Sequence, residues 1–243
     1  MHERRIAPLP LLRCSPQQFA LPACRRLMQA VHDEVTRRTG IAVIGGLPVE
    51  EFQPDELRLI FWLLGQLLSR PVATKWDGTM LYDVADKGVA MGYGVRASSM
   101  NAELYFHTDN SFGRSVPDFV GLLCINPSDQ GGVSRFCSLH SVHNELLRDS
   151  SHTLPRLYEP MYFDRQAEHH PSESKLLRAP LFAIDEEGLH ARLSFKLIRK
   201  GYELANEPMD QRLSDSLAAL HATLEREDLC IQYRLERGDI QFI

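Results

Sequence analysis

The stretch Leu104-Tyr105-Phe106-His107-Thr108-Asp109-Asn110-Ser111-Phe112 sets an imidazole and a carboxylate two residues apart in an aromatic, strand-like context. In extended backbone successive side chains alternate sides, so His107 and Asp109 are expected on one face and Thr108 on the other. Two histidines and one carboxylate on one face of an octahedral ion, with three positions left open, form the ligand set of non-haem iron centres. His107 and Asp109 would be two of those three ligands. An H-x-D pair arises readily by chance, so its surroundings decide its weight.

Upstream, Pro22 to Gly40 carries Cys24, Leu27, Met28, Val31 and Val35 at helical spacing, with Arg37 and Arg38 before Gly40 as the stop. Ile41 to Ile44 reads as a short buried strand ended by Gly45-Gly46, and a second helix is expected from about Pro54, with Asp55 and Glu56 in its first turn. These form a helical layer. After Pro71 the pattern changes to short strand-like runs broken by Gly, Pro, Asn and Asp: Met80 to Val84, Asn101 to Phe106, Phe119 to Ile125 and Val133 to Leu139. Pro160 to Asp164, Pro180 to Ile184, Leu189 to Phe195 and Leu229 to Leu235 add further strands. Only Ser141 to Arg148 and Asp210 to Arg226 read as helices in this part, too few for a parallel α/β sheet. The pattern therefore favours a mainly β sandwich or barrel in one domain, a size such folds reach undivided.

Composition excludes several classes. The 243 residues are 44% hydrophobic and 24% charged, with 27 basic against 32 acidic side chains and a net charge of -5. A mildly acidic chain without a Lys/Arg run lacks the footprint of nucleic-acid binding. The 5 cysteines, Cys14, Cys24, Cys124, Cys137 and Cys230, include no C-x-x-C and read as reduced thiols. Pro8, Pro10 and Arg13 interrupt the N-terminal apolar run, against a secretory signal. Leu57 to Leu68 is too short to span a bilayer. A soluble, cytoplasmic protein is expected, with no membrane partner and homo-oligomerisation left open.

Other histidines compete poorly for a metal. His143 and Glu145 are two apart on an expected helix, where such residues diverge. His169-His170 precedes Pro171 in a polar loop, and His190 and His221 are isolated. Nothing resembles a G-x-S-x-G elbow or a phosphate-cradling glycine loop.

Downstream of His107 and Asp109 come Pro117-Asp118-Phe119, a hydrophobic run, Gln130-Gly131-Gly132-Val133-Ser134, and finally Arg237-Gly238-Asp239-Ile240. With Gly40-Ile41-Ala42-Val43 and Gly46-Leu47-Pro48 near the start, this sequence of motifs resembles the taurine dioxygenase (TauD/TfdA) family of iron(II)- and 2-oxoglutarate-dependent oxygenases over nearly the whole chain. The resemblance implies a double-stranded β-helix, a jelly-roll, with an N-terminal helical layer. The helical layer would cover about residues 16–70 and the jelly-roll about 71–243 of a single oxygenase domain.

Carried over, the resemblance makes His107 and Asp109 iron ligands and Ser134 the hydroxyl that helps hold a carboxylate of 2-oxoglutarate. By strand alternation Asn101, Glu103 and Tyr105 share the face of His107 and would line the substrate cavity, suiting an amino acid or similar polar small molecule. Iron(II), 2-oxoglutarate and dioxygen are the implied cofactor and co-substrates. The family's second histidine and its 2-oxoglutarate-binding arginine lie beyond the Gly238-Asp239-Ile240 turn, so the protein is expected to continue past Ile243 with a His and then an Arg. The alternative is a non-catalytic jelly-roll binding protein derived from such an oxygenase; turnover of 2-oxoglutarate separates the two.

Overall fold

The computed structural model describes residues 10–86, 88 and 104–243, so Asn101 and Glu103 lie outside the described residues. In chain order its main elements are α1 (Pro22–Arg37), β1 (Ala42–Ile44), α2 (Pro54–Leu68), β2 (Gly121–Leu123), β3 (Val133–Cys137), α3 (Leu139–Asp149), α4 (Leu154–Leu157), β4 (Met161–Asp164), β5 (Leu176–Ala179), β6 (Phe182–Asp185), β7 (Gly188–Ala191), α5 (Phe195–Ala205), α6 (Gln211–Leu224), β8 (Cys230–Arg234) and β9 (Ile240–Phe242). Helices and antiparallel strand pairs are thus mixed. No helix among the described residues is long and apolar enough to cross a membrane.

The chain divides into two compact units. The first comprises Met1–Val72, Asp118–Val133 and Arg234–Ile243. At its centre β9 runs antiparallel to both β1 and β2, with Ile240 opposite Ile44 and Leu123, and Phe242 opposite Ala42 and Gly121. All three β9 residues are buried, as a strand flanked on both sides requires. Helices α1 and α2 pack Met28, Val31, Ile60, Leu64 and Leu68 around Ile240 and Phe242. Both helices start on a proline, whose fixed φ and missing N–H suit the first turn. For α2 the Gln53 amide also donates to Glu56 Oε2 at 2.9 Å.

The turn before β9 is drawn tight by its backbone. Gly238 has φ 87, its N–H donates to Cys124 O at 2.8 Å, and its carbonyl accepts from Leu47 N at 3.2 Å. Asp239, 4% exposed, accepts from Glu236 N through Oδ2 at 2.8 Å. A side chain at Gly238 would overlap Leu47 O.

The second unit, Ala73–Pro117 and Ser134–Tyr233, contains the pairs β3–β8, β4–β5 and β6–β7. Its core gathers Val142, Leu146, Leu157, Met161, Phe163 and Phe182 with the buried face of α6, Leu213, Leu217, Leu220 and Leu224, the stripe its helical spacing predicts.

Some expected strands are absent. Met80 to Val84 and Leu104 to Phe106 are irregular, because an apolar run becomes a strand only where a partner edge is offered. The run Leu189 to Phe195 splits: its strand ends at Ala191, and Phe195 opens α5, a helix the sequence reading lacks. Ser194 causes the switch by capping α5, its Oγ accepting from Leu197 N at 3.4 Å. Strand β5 is a further addition, paired with β4 from Met161↔Ala179 to Asp164↔Leu176.

Candidate metal site

His107 is fixed by backbone pairing, as one half of an isolated antiparallel bridge to Ser194. The next residue is tied twice: Thr108 N donates to Leu193 O at 2.9 Å, and Leu193 N donates to Thr108 Oγ1 at 3.1 Å. The chain then turns. Asn110 is left-handed, with φ 53, and Gly113 N donates to Asn110 O at 2.7 Å. Asp109 sits at the start of this turn, and its Oδ1 lies 3.4 Å from His107 Nε2. The two side chains meet on one side of the paired segment.

The ring of His107 is oriented from behind. Nδ1 hydrogen-bonds the Tyr105 carbonyl at 2.8 Å, an acceptor that can only take a proton, so Nδ1 carries the hydrogen and Nε2 presents its lone pair toward Asp109. The Asp109 carboxylate raises the imidazole pKa above its ordinary value; burial opposes this and the Tyr105 carbonyl adds to it. A proton on Nε2 thus takes the place that a cation would fill. With side chains 40% and 47% exposed, the pair is open to an incoming ion. One imidazole nitrogen and one carboxylate oxygen are donors that iron(II) accepts, and the backbone acceptor on Nδ1 is the usual support of a metal-binding histidine. Among the described residues no third His, Cys, Asp or Glu joins them.

Sequence reasoning missed Arg192. Its Nη1 donates to Ser111 O at 2.6 Å and to Gly113 O at 2.5 Å, gripping the turn that follows Asp109. Burial lowers its pKa. The available signal was a lone arginine inside the apolar run from Leu189 to Phe195. Arg114, next along the turn, pairs with Glu173 at 2.6 Å, and Glu173 also holds Arg165 at 2.9 Å.

Of the other expected site residues, Tyr105 is 67% exposed, its ring edge-on to His221 at 6.5 Å; His221 in turn meets Phe195 at 5.4 Å. These aromatics stand beside His107 in the chain or beside Ser194, its bridge partner. Ser134 is half-buried in β3 and makes no side-chain hydrogen bond among the described residues. Its neighbour Arg135 lies over the Phe106 ring at 4.7 Å. His143 bonds Tyr158 OH at 2.7 Å while Glu145 engages Arg148 and Arg226, so this pair shares no ion. His190 is taken by Asp185 at 2.7 Å.

The model of the taurine catabolism dioxygenase TauD, TfdA family matches residues 5–243. The chain belongs to the TauD/TfdA family. Among TauD/TfdA relatives, it is 24% identical over 226 residues to FR-33289 synthase of Streptomyces rubellomurinus, covering 90% of this chain and 63% of that protein. It is 29% identical over 139 residues to enduracididine beta-hydroxylase of Streptomyces hygroscopicus, covering 49% and 40%. The chain thus spans less than two thirds of the length of either relative. Among solved structures it is similar to asparagine oxygenase in complex with Fe(II), 2S,3S-3-hydroxyasparagine and succinate, with TM-score 0.65 and 19% identity over 91% of this chain and 70% of that one. The non-heme iron oxygenase OrfP in complex with Fe and alpha-ketoglutaric acid gives TM-score 0.65 and 17% identity over 94% and 72%. At these identities the likeness is one of fold.

Proposed function

We propose that this TauD/TfdA protein is an iron(II)- and 2-oxoglutarate-dependent dioxygenase that hydroxylates, or otherwise oxidises, an amino acid or a similar polar metabolite. The observation that carries the reading is the His107–Asp109 pair: Nε2 stands 3.4 Å from the carboxylate, and Nδ1 is committed to the Tyr105 carbonyl. Family membership supplies the reaction class, and the neighbours of like fold, solved with iron and with 2-oxoglutarate, succinate or hydroxylated amino acids, supply the cofactors and the substrate class.

When bound, iron(II) with 2-oxoglutarate and dioxygen supplies the oxidising power, coupling decarboxylation of the co-substrate to transfer of one oxygen atom into a substrate C–H bond. His107 Nε2 and Asp109 Oδ1 would hold the ion. Ser134, whose hydroxyl has no competing partner among the described residues, would donate to a carboxylate of 2-oxoglutarate. Tyr105, with Asn101 and Glu103 upstream, would face the substrate. The fold would be a double-stranded β-helix built as a single oxygenase domain. Purified protein given iron(II), 2-oxoglutarate and individual amino acids under air should release succinate and yield a product heavier by one oxygen atom. Iron binding without succinate release for any amino acid tested refutes the amino-acid oxygenase reading.

A further inference from the structure

We propose that Arg192 is the positioning residue of the metal site: its guanidinium holds the turn carrying Asp109 in the ligating conformation through the carbonyls of Ser111 and Gly113. The inference rests on the iron-site reading of His107 and Asp109. Asp109 stands in a turn whose next residue, Asn110, is left-handed, a conformation that asparagine adopts more readily than most side-chain-bearing residues. The turn is tied on both sides. On the N-terminal side the tie is Thr108, bonded to both backbone groups of Leu193. On the C-terminal side it is Arg192, whose Nη1 bridges two carbonyls separated by one residue. Only a curved backbone brings those carbonyls to one nitrogen.

Both ties and the His107 bridge come from three consecutive residues, Arg192, Leu193 and Ser194. The spacing between the two ligands is therefore copied from one rigid template. The hydrogen-bond partners of Arg192 among the described residues are all backbone carbonyls. A guanidinium kept only for charge pairing would instead face a carboxylate; here its fork is matched to the shape of the turn. Lysine, with a compact ammonium, could engage one carbonyl but would not reproduce the fork.

The test compares wild type with Arg192→Gln, Arg192→Lys and His107→Ala, without turnover. Co(II) binding is followed by its visible absorption, and amide hydrogen exchange is followed at Gly113 and across α6. Outer-shell partners of metal ligands typically contribute 10–100-fold in affinity. Arg192→Gln should thus weaken Co(II) binding at least about tenfold and speed exchange at the Gly113 amide, while α6 exchange stays at the wild-type rate. Arg192→Lys should recover part of the affinity. Unchanged Co(II) affinity with unchanged Gly113 exchange overturns the proposal, and so does faster exchange spread equally into α6, which would make Arg192 a general stabiliser. Wild-type Co(II) affinity in His107→Ala overturns the iron-site reading itself, and the positioning role with it.

Discussion

Asp210 performs two tasks with one carboxylate, and substitution separates them. Oδ1 accepts from Leu213 N at 2.8 Å and caps α6, while Oδ2 accepts from Arg156 Nε and Nη2 at 3.1 and 3.0 Å. Asparagine caps as well as aspartate does, so Asp210→Asn keeps the cap but turns an amide donor toward Arg156 and loses the ion pair, whereas Asp210→Ala removes both functions. Losing the cap costs about 1 kcal/mol. Stranding a fully buried charge costs about 3–5 kcal/mol, but the Arg156 side chain at 7% exposure faces an Asp210 at 52%, and solvent weakens the pair. Arg156 also keeps Tyr202 OH at 3.2 Å and the Glu159 carboxylate at 3.7 Å. The charge therefore contributes about 2 kcal/mol, giving expected losses of about 2 kcal/mol for Asp210→Asn and about 3 for Asp210→Ala. The bond from Arg156 is the main reason the Asp210 pKa lies below its ordinary value. Its contribution is then complete above the usual carboxylate pKa of about 4 and disappears as pH falls through the lower folded value. Urea unfolding followed by far-UV circular dichroism should show the gap between wild type and Asp210→Asn narrowing from pH 7 to about pH 3. Equal losses for the two variants, or a gap that does not move with pH, would refute the reasoning.

At the metal site, His107→Ala and Asp109→Ala should each abolish succinate release while leaving the circular dichroism spectrum intact, because both side chains are open to solvent. Iron affinity of the wild type should fall on acidification, since a proton competes for Nε2 and the Asp109 carboxylate raises the pKa at which it does so; a pH-independent affinity counts against His107 as a ligand. Ser134→Ala should weaken anaerobic binding of 2-oxoglutarate by roughly 1–3 kcal/mol without altering iron binding, and an unchanged dissociation constant would leave Ser134 as a strand residue only. Gly238→Ala should destabilise the first unit by about 3 kcal/mol or more, combining left-handed strain with the loss of two turn hydrogen bonds; a loss under about 1 kcal/mol would show that the Leu47 backbone can yield.

Helix α5 shows why part of the fold escaped the sequence. A glycine in the middle of Phe195–Ala205 weakens any helical pattern, and the apolar residues before it join a β-like run. Yet Gly201 is what allows the helix to pack: a Cβ there would stand 2.7 Å from the backbone of Tyr162 in β4. The residue that hides the helix is the one that seats it. Helices α1, α2, α3 and α6 were legible because their periodicity, first-turn prolines or capping residues are all local.

The same division runs through the metal site. A two-residue spacing between His107 and Asp109 is written in the sequence, and it names the candidate donor pair. What anchors the pair is not local: His107 is bridged to Ser194 and Thr108 is bonded to Leu193, 85 residues away, and the chain turns at the left-handed Asn110 that follows Asp109. That turn borrows its shape from Arg192, whose grip on Ser111 spans 81 residues of chain. No periodicity or motif links positions so far apart, and Arg192 in its apolar run carries only the weak signal of a charge where burial is expected. A candidate donor pair can therefore be picked out by a short motif, while its geometry belongs to the tertiary contacts around the motif.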